Sequence, residues 1–361
     1  MLAKVIDIER LIHSTKTAIA CLIGVFLIHI IGIPADQWVI ITIIVVMCAQ
    51  IYVGSVMQKA YLRFLGTLIG CLFAAFTLAA AGHTNMAILL SIALSSFIFS
   101  YFATSQENLS YAGTLGAVTT AIIMLGPEPT IYLAAQRFME ISMGIFIATF
   151  VSQYILPINA STHLRRAQAK TLGQLRDYYM TAVMPPLDTK QQLNYMELDE
   201  SIVKSLLKQR QLAKESASEP PETGFDPEHF MQSLYCEREM LRSITFMHNA
   251  LTHLTKARDL LDQLPDSHAF NETIILALNT IIKAIESLEP HNEHIHIPSL
   301  DALRNALQKN LVEASSRHDL IYIDGFLFSA ETLLISLAKL AGLNNVSIYE
   351  TEKGHNIIEK S

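Results

Sequence analysis

The sequence predicts an all-α protein in two parts: a six-helix transmembrane bundle over 1–160 and a cytoplasmic helical bundle over 161–361. Three observations carry that prediction. Charge is partitioned: residues 1–160 hold 6 of the 26 Lys/Arg and 6 of the 33 Asp/Glu, so the remainder, with 20 and 27, carries the whole formal charge of −7. The first part divides into apolar runs close to the roughly 20 residues a helix needs to cross a bilayer. From 161 onward Leu, Ile and Met recur every three or four residues among charged ones, the period of a helix with one buried face.

The spans fall near 14–33, 37–54, 62–81, 86–103, 109–125 and 137–156. Their separators, IPAD, GSVMQKAY, AGHTN, TSQEN and GPEPTIYLAAQ, carry the Pro, Gly, Asn and charge that punctuate helices. Span five, SYAGTLGAVTTAIIMLG, is diluted by small residues, which suits a helix surrounded by other helices. Lys4, Arg10 and Lys16 precede span one, Lys59 and Arg63 lie between spans two and three, and Arg165, Arg166 and Lys170 follow span six. Even numbers of crossings put these clusters on one side, and short cytoplasmic loops are the ones enriched in Lys and Arg. Both termini are therefore expected in the cytoplasm. Asp36, His83 and Glu128 fall on the other side, with Arg137 the exception. Asp7, Glu9 and the length of the first apolar run argue against a cleaved leader.

Two arginines share a pattern. Arg63 is followed by Gly66, Thr67 and Gly70, and Arg137 by Glu140 and Gly144, so R-x6-G recurs 74 residues on, each time opening the third helix of three. A duplicated set of three crossings must be inverted, and inverted repeats in secondary transporters hold the substrate where the repeats meet. Arg63 fits two readings, a snorkelling interfacial side chain or a docking group for substrate. Arg137 lies on the side the charge rule disfavours. Glu140, one turn on, can pair with it, either as a packing device or in a substrate or proton path. For Gly66, Gly70 and Gly144, close helix packing is the simpler role.

The same residues carry a family resemblance. Span one ends in GIP; ADQWVIITIIVV and YLRFLGTLIG follow; and span six has the form R-x-x-E-x-x-x-G and ends in LP. This series resembles the fusaric acid resistance family, which includes aromatic acid exporters of bacterial inner membranes. Its most specific piece is R-x-x-G-T-x-x-G after a Trp-bearing span, here Arg63, Gly66, Thr67, Gly70 and Trp38. The resemblance implies an inner-membrane efflux permease for small aromatic or other weak organic acids. Arg63, Arg137, Glu140, Thr67 and Trp38 would then line the substrate path, the arginines docking the carboxylate from opposite sides. Full-length relatives carry two six-span units, so a single unit is expected to work as a homo-oligomer, and some relatives use a periplasmic adaptor.

Other features weigh less. By position alone Trp38 is an interfacial anchor. Gln50, Thr114, Thr119 and Thr120 are path-lining candidates, Glu107 is expected in solvent, and His29 at the outer interface. Beyond span six, LRRAQAKTLGQLRDYYMTAV is expected to continue the helix, with further helices near 188–216, 227–263, 268–288, 299–317 and 320–342. HNEHIHIP, with His291, His294 and His296, lacks a second anchored ligand pair and reads as a solvated loop rather than a metal site. The dispersed cysteines fit neither a disulfide framework nor zinc. No phosphate-cradling Gly motif is present, which leaves the proton gradient as the expected energy source, with no cofactor. No basic surplus marks a nucleic-acid footprint, and no nucleophile–base pair marks an enzyme. Two alternatives stay open: a membrane-anchored scaffold whose helical domain binds partners, and a passive anion channel.

Overall fold

The computed structural model describes residues 8–32, 37–82, 84–105, 107–183, 189–253, 263, 265–287, 294–297, 300–301, 303–305 and 317–350. Lys4, Asp7, Asp36, His83, His291, the side chain of Glu107 and most of the helix expected over 299–317 lie outside the described residues. Two compact units emerge: Met1–Ala160 with Glu215–Thr223, and Ser161–Lys214 with Gly224–Ser361.

The first unit contains helices α1 (Ile8–Ile31), α2 (Gln37–Met47), α3 (Val53–Ala81), α4 (Asn85–Ala103), α5 (Glu107–Met124) and α6 (Ile131–Tyr154). Caps fix several ends. The Thr84 hydroxyl accepts from the Ala87 amide and that of Thr130 from the Leu133 amide, each closing an orphan donor of a first turn. Gly82 ends α3 at φ 70, a backbone that a side chain disfavours. Helices α1, α3, α4 and α6 are long and apolar enough to cross a bilayer. Leu22, Phe26, Phe76, Phe97 and Phe146 stand exposed along them, as an apolar solvent permits.

Three expected boundaries move. Helix α2 stops at Met47 rather than 54, and α3 begins at Val53 rather than 62. Lys and Gln end an apolar run but are good helix formers, so GSVMQKAY belongs inside α3 and the break falls in the apolar CAQIY. For the same reason α6 starts at Ile131, so Arg137 sits almost two turns inside it. Nor does α6 run on into the second part. Leu156 takes φ 49 before Pro157, which disfavours helical backbone at the preceding residue, and the next helix starts at Ala160.

Helices α3 and α6 are central. Helix α3 packs on α5 and α6, α6 also packs on α2, α4 on α5, and α1 on α2 and α6. Small and β-branched residues fill the α1–α2–α3–α6 core: Ala20, Val39, Ile43, Val56, Ala60, Ile147, Ala148 and Val151. The segment Glu215–Thr223 docks on this unit. The Glu219 carboxylate accepts from the Ala160 amide, and a Cβ on Gly54 would collide with the Glu215 carbonyl.

The second unit is built from α7 (Ala160–Val183), α8 (Thr189–Ser216), α9 (Pro227–His253), α10 (Pro265–Ser287) and α11 (Arg317–Leu343). Helix α11 packs along α9, and Leu172, Leu175, Met240, Ile244, Ile274, Ile281 and Leu337 share its core. Helix α11 is itself apolar enough to cross a bilayer by length and composition, but half of that stretch is buried inside the unit. Buried polar groups are paired across helices: the Tyr179 hydroxyl donates to Asn271 at 2.6 Å, and Gln209 donates to both Thr171 and Glu237. Complete burial of Glu237 pushes its carboxyl up to about 8, only partly offset by the Gln209 hydrogen bond. One expectation is corrected. His294 and His296 are not in a loop: His294–Ile297 forms a strand, β1, paired in parallel with β2, Ser347–Glu350. The H-I-H-I alternation suits a strand, and Asn345 at φ 59 turns the chain out of α11 to meet it.

Candidate substrate site in the membrane unit

Arg63 is the eleventh residue of α3, and its guanidinium does not snorkel. The residue is 5% exposed, and Nη2 donates to the Thr42 hydroxyl of α2 at 3.2 Å. Its Nε has no hydrogen-bond partner among the described residues. The buried Tyr111 hydroxyl of α5 lies beside the guanidinium. Lys59, one turn earlier on α3, sits 5.5 Å from the centre of the Tyr111 ring. A buried cation with donors to spare is costly unless something satisfies them.

Arg137 is held by a carboxylate and an aromatic ring. Its Nη1 donates to Glu140 at 2.5 Å, and the other carboxylate oxygen of Glu140 accepts from Gln136 Nε2 at 3.0 Å. The guanidinium stands 5.3 Å from the centre of the Trp38 ring, a cation–π arrangement. Both side chains are withdrawn from solvent, Arg137 to 13% and Glu140 to 1% exposure. A cleft of about 650 Å³ opens beside the pair, lined by Ile31, Tyr132, Gln136, Met139, Glu140 and Met143.

Trp38 and Thr42 lie four residues apart on α2, one turn of the same helix. The partners of the two arginines therefore occupy adjacent turns of a single helix. Helix α2 has eleven residues and spans about 16 Å, roughly half the hydrocarbon thickness. Transporter sites gather at such discontinuous helices.

The glycines explain how the helices come this close. A Cβ on Gly144 would lie 2.6 Å from the Val39 carbonyl and 2.7 Å from Thr42 Cβ. On α3, a Cβ at Gly66 would run into the Ala112 carbonyl, and one at Gly70 would come within 2.7 Å of the Gly116 carbonyl. Thr120 of α5 donates to the Gly70 carbonyl at 3.2 Å, and Thr67 is 2% exposed. Gly70 meets residue 116 and Gly144 meets residue 42, so the partners are separated by the same 74 positions as the glycines and the arginines. The exchange of α3 on α5 for α6 on α2 is the packing that a duplicated three-helix set produces.

The structure thus gathers Arg137, Glu140 and Trp38 into one assembly, and brings Arg63 and Gly144 to the next turn of α2 through Thr42. Gly66 and Gly70 face α5 instead. Thr114 bonds its own helix backbone at Ser110, and His29 is exposed. Sequence reasoning missed Thr42, Tyr111 and Gln136. Only Gln136 carried a signal, as an amide four residues before Glu140.

The model of the fusaric acid resistance protein family matches residues 10–322, most of the chain. The chain belongs to this family. Among its fusaric-acid-resistance relatives, the inner membrane protein YeeA of Escherichia coli is 28% identical over 178 residues, covering 49% of this chain and 50% of YeeA. The p-hydroxybenzoic acid efflux pump subunit AaeB of Edwardsiella ictaluri is 26% identical, covering 46% of this chain and 28% of AaeB. The multidrug resistance protein MdtO of Escherichia coli is 30% identical, covering 45% of this chain and 25% of MdtO. The matches therefore span between a quarter and a half of these relatives. Like other members of the family, the chain is a multi-pass membrane protein.

Proposed function

We propose that this fusaric-acid-resistance chain is a bacterial inner-membrane permease that expels small aromatic or other weak organic acids, coupled to the proton gradient. The observation that carries the reading is the Arg137–Glu140 pair set on Trp38 beside an apolar cleft. A guanidinium grips a carboxylate in two places, and an indole face stacks an aromatic ring, so the chemistry suits an aromatic acid. Glu140 already occupies Arg137, which gives a coupling rule. The substrate anion and Glu140 compete for one guanidinium, so the anion binds when Glu140 lets go and leaves when the pair re-forms. Arg63, on the neighbouring turn of α2 with donors unspent, receives the carboxylate at the other step of the cycle. The name of AaeB, an efflux pump subunit for p-hydroxybenzoic acid, supports this substrate class. In this reading both termini and residues 161–361 are cytoplasmic, the working form is a homo-oligomer, and a periplasmic adaptor is a candidate partner.

The test is efflux of p-hydroxybenzoate from cells expressing the chain. Arg137→Ala and Arg63→Ala are expected to reduce export at least about a hundredfold at near-normal protein levels, as loss of a charge-paired ligand contact would. Wild-type export in both variants removes the arginines from the substrate path. Collapse of uphill export by a protonophore separates a coupled exporter from a passive anion channel. A scaffold would leave acid accumulation unchanged when the chain is deleted.

A further inference from the structure

Lys16 and His13 lie one turn apart on α1, within the membrane unit. The charge pattern assigns Lys16 to a cytoplasmic flank, but the structure buries it completely, and its ammonium has no hydrogen-bond or ion-pair partner among the described residues. His13 is 6% exposed. Its ring faces the backbone of Met47 and Cys48, where α2 ends early. Lys59 of α3 lies close to Cys48 and to Arg63, so α1 and α3 each bring a basic side chain toward the early end of α2. No described carboxylate pairs with His13, Lys16, Lys59 or Arg63. The turn at Cys48–Ala49 is exposed.

An uncompensated cation in a membrane helix is costly, and such groups mark ion or substrate paths. We infer that Lys16, flanked by His13, forms a separate carboxylate-capture site on the inner side of α2, where a solute anion is desolvated before it meets Arg137. The inference rests on the export reading for its direction, but the site itself is a binding claim that stands without transport. The ligand is a singly charged organic carboxylate. A phospholipid headgroup offers similar oxygens, and the test separates the two.

The full chain is purified in detergent and benzoate is titrated by calorimetry and by thermal melting, with benzamide as the uncharged match and phosphatidylglycerol as the lipid. The expected result is a melting temperature that rises with benzoate and not with benzamide. Lys16→Met should melt higher than wild type without anion and bind benzoate at least about tenfold more weakly, while Lys16→Arg retains binding. If Lys16→Met does not accumulate, Lys16→Gln carries the same expectation for binding. Unchanged benzoate affinity in the Met or Gln variant overturns the site. So does a wild-type chain that responds to phosphatidylglycerol alone, or to neither ligand. Because binding is read apart from flux, a wild-type chain that exports no p-hydroxybenzoate would defeat the transport reading while leaving a Lys16-dependent benzoate site in place.

Discussion

Glu140 is the residue on which the coupling rule turns. Glu140→Gln keeps the amide contact with Arg137 but can neither carry charge nor lose a proton. Export of p-hydroxybenzoate against a gradient is expected to fall at least about tenfold, with downhill exchange of labelled p-hydroxybenzoate across proteoliposomes largely retained. Equal loss of both would make Glu140 a structural partner only. A second carboxyl, Glu237, poses a question of stability. Its folded value near 8 exceeds the ordinary 4.5 because the side chain is wholly buried. Below about pH 4.5 the carboxyl is protonated folded or unfolded and costs nothing. As pH rises toward 8 the unfolded chain ionises while the folded chain keeps its proton, so stability falls across that window. Glu237→Gln removes this term and is expected to gain on the order of 3 kcal/mol at pH 7.5 and much less at pH 5.5, read as a melting-temperature gap that widens with pH. Arg63, Arg137 and Glu140 were legible in the sequence because a charge inside an apolar run stands out. Thr42 and Tyr111 were not, since a lone hydroxyl in such a run usually bonds its own helix. Lys16 was misplaced for a related reason: a lysine near a span's end ordinarily reaches water.

At the scale of elements, the glycine contacts decide whether the helices can meet. Gly144→Val would force a side chain into the Val39 carbonyl and Thr42, both backed by the α1–α2–α6 core. The expected cost is about 1–3 kcal/mol, seen as a lower melting temperature in detergent, with loss of the Arg63–Thr42 contact and of export. Gly173→Val, on α7 where nothing lies within 4 Å of the added Cβ, is the control and should melt near wild type. The existence of the described helices was legible, from α1 to the helix at Arg317–Leu343. Boundaries were less so. Hydropathy reports where charge begins, whereas helices end where backbone donors are capped or where a proline forbids continuation, as at Leu156–Pro157. The β1–β2 pair joins segments about 50 residues apart, and such a pairing has no local signature.

At the scale of the whole molecule, the chain does not divide at a single point. It leaves the membrane unit at Ala160 and returns to it at Glu215–Thr223, held by Glu219 and seated over Gly54. Composition alone puts one boundary near 160, because SASEPPETGFDP reads as a linker between helices and nothing in it names a docking place. Gly54→Val should lift the segment by crowding the Glu215 carbonyl. Trypsin is then expected to cut after Lys214 faster than in wild type, measured by mass spectrometry of timed digests, with no change if the segment hangs free. The duplication operates at this scale as well: with 42 and 116 spaced like 70 and 144, a change at one glycine should have a counterpart at the other.

The indole stacked on Arg137 is the chain's single tryptophan. All of the near-ultraviolet tryptophan emission therefore originates within a few ångströms of the guanidinium. Its intensity and colour become an intrinsic gauge of whichever anion holds that cation, so occupancy can be followed on the unlabelled protein in the time of a stopped-flow shot.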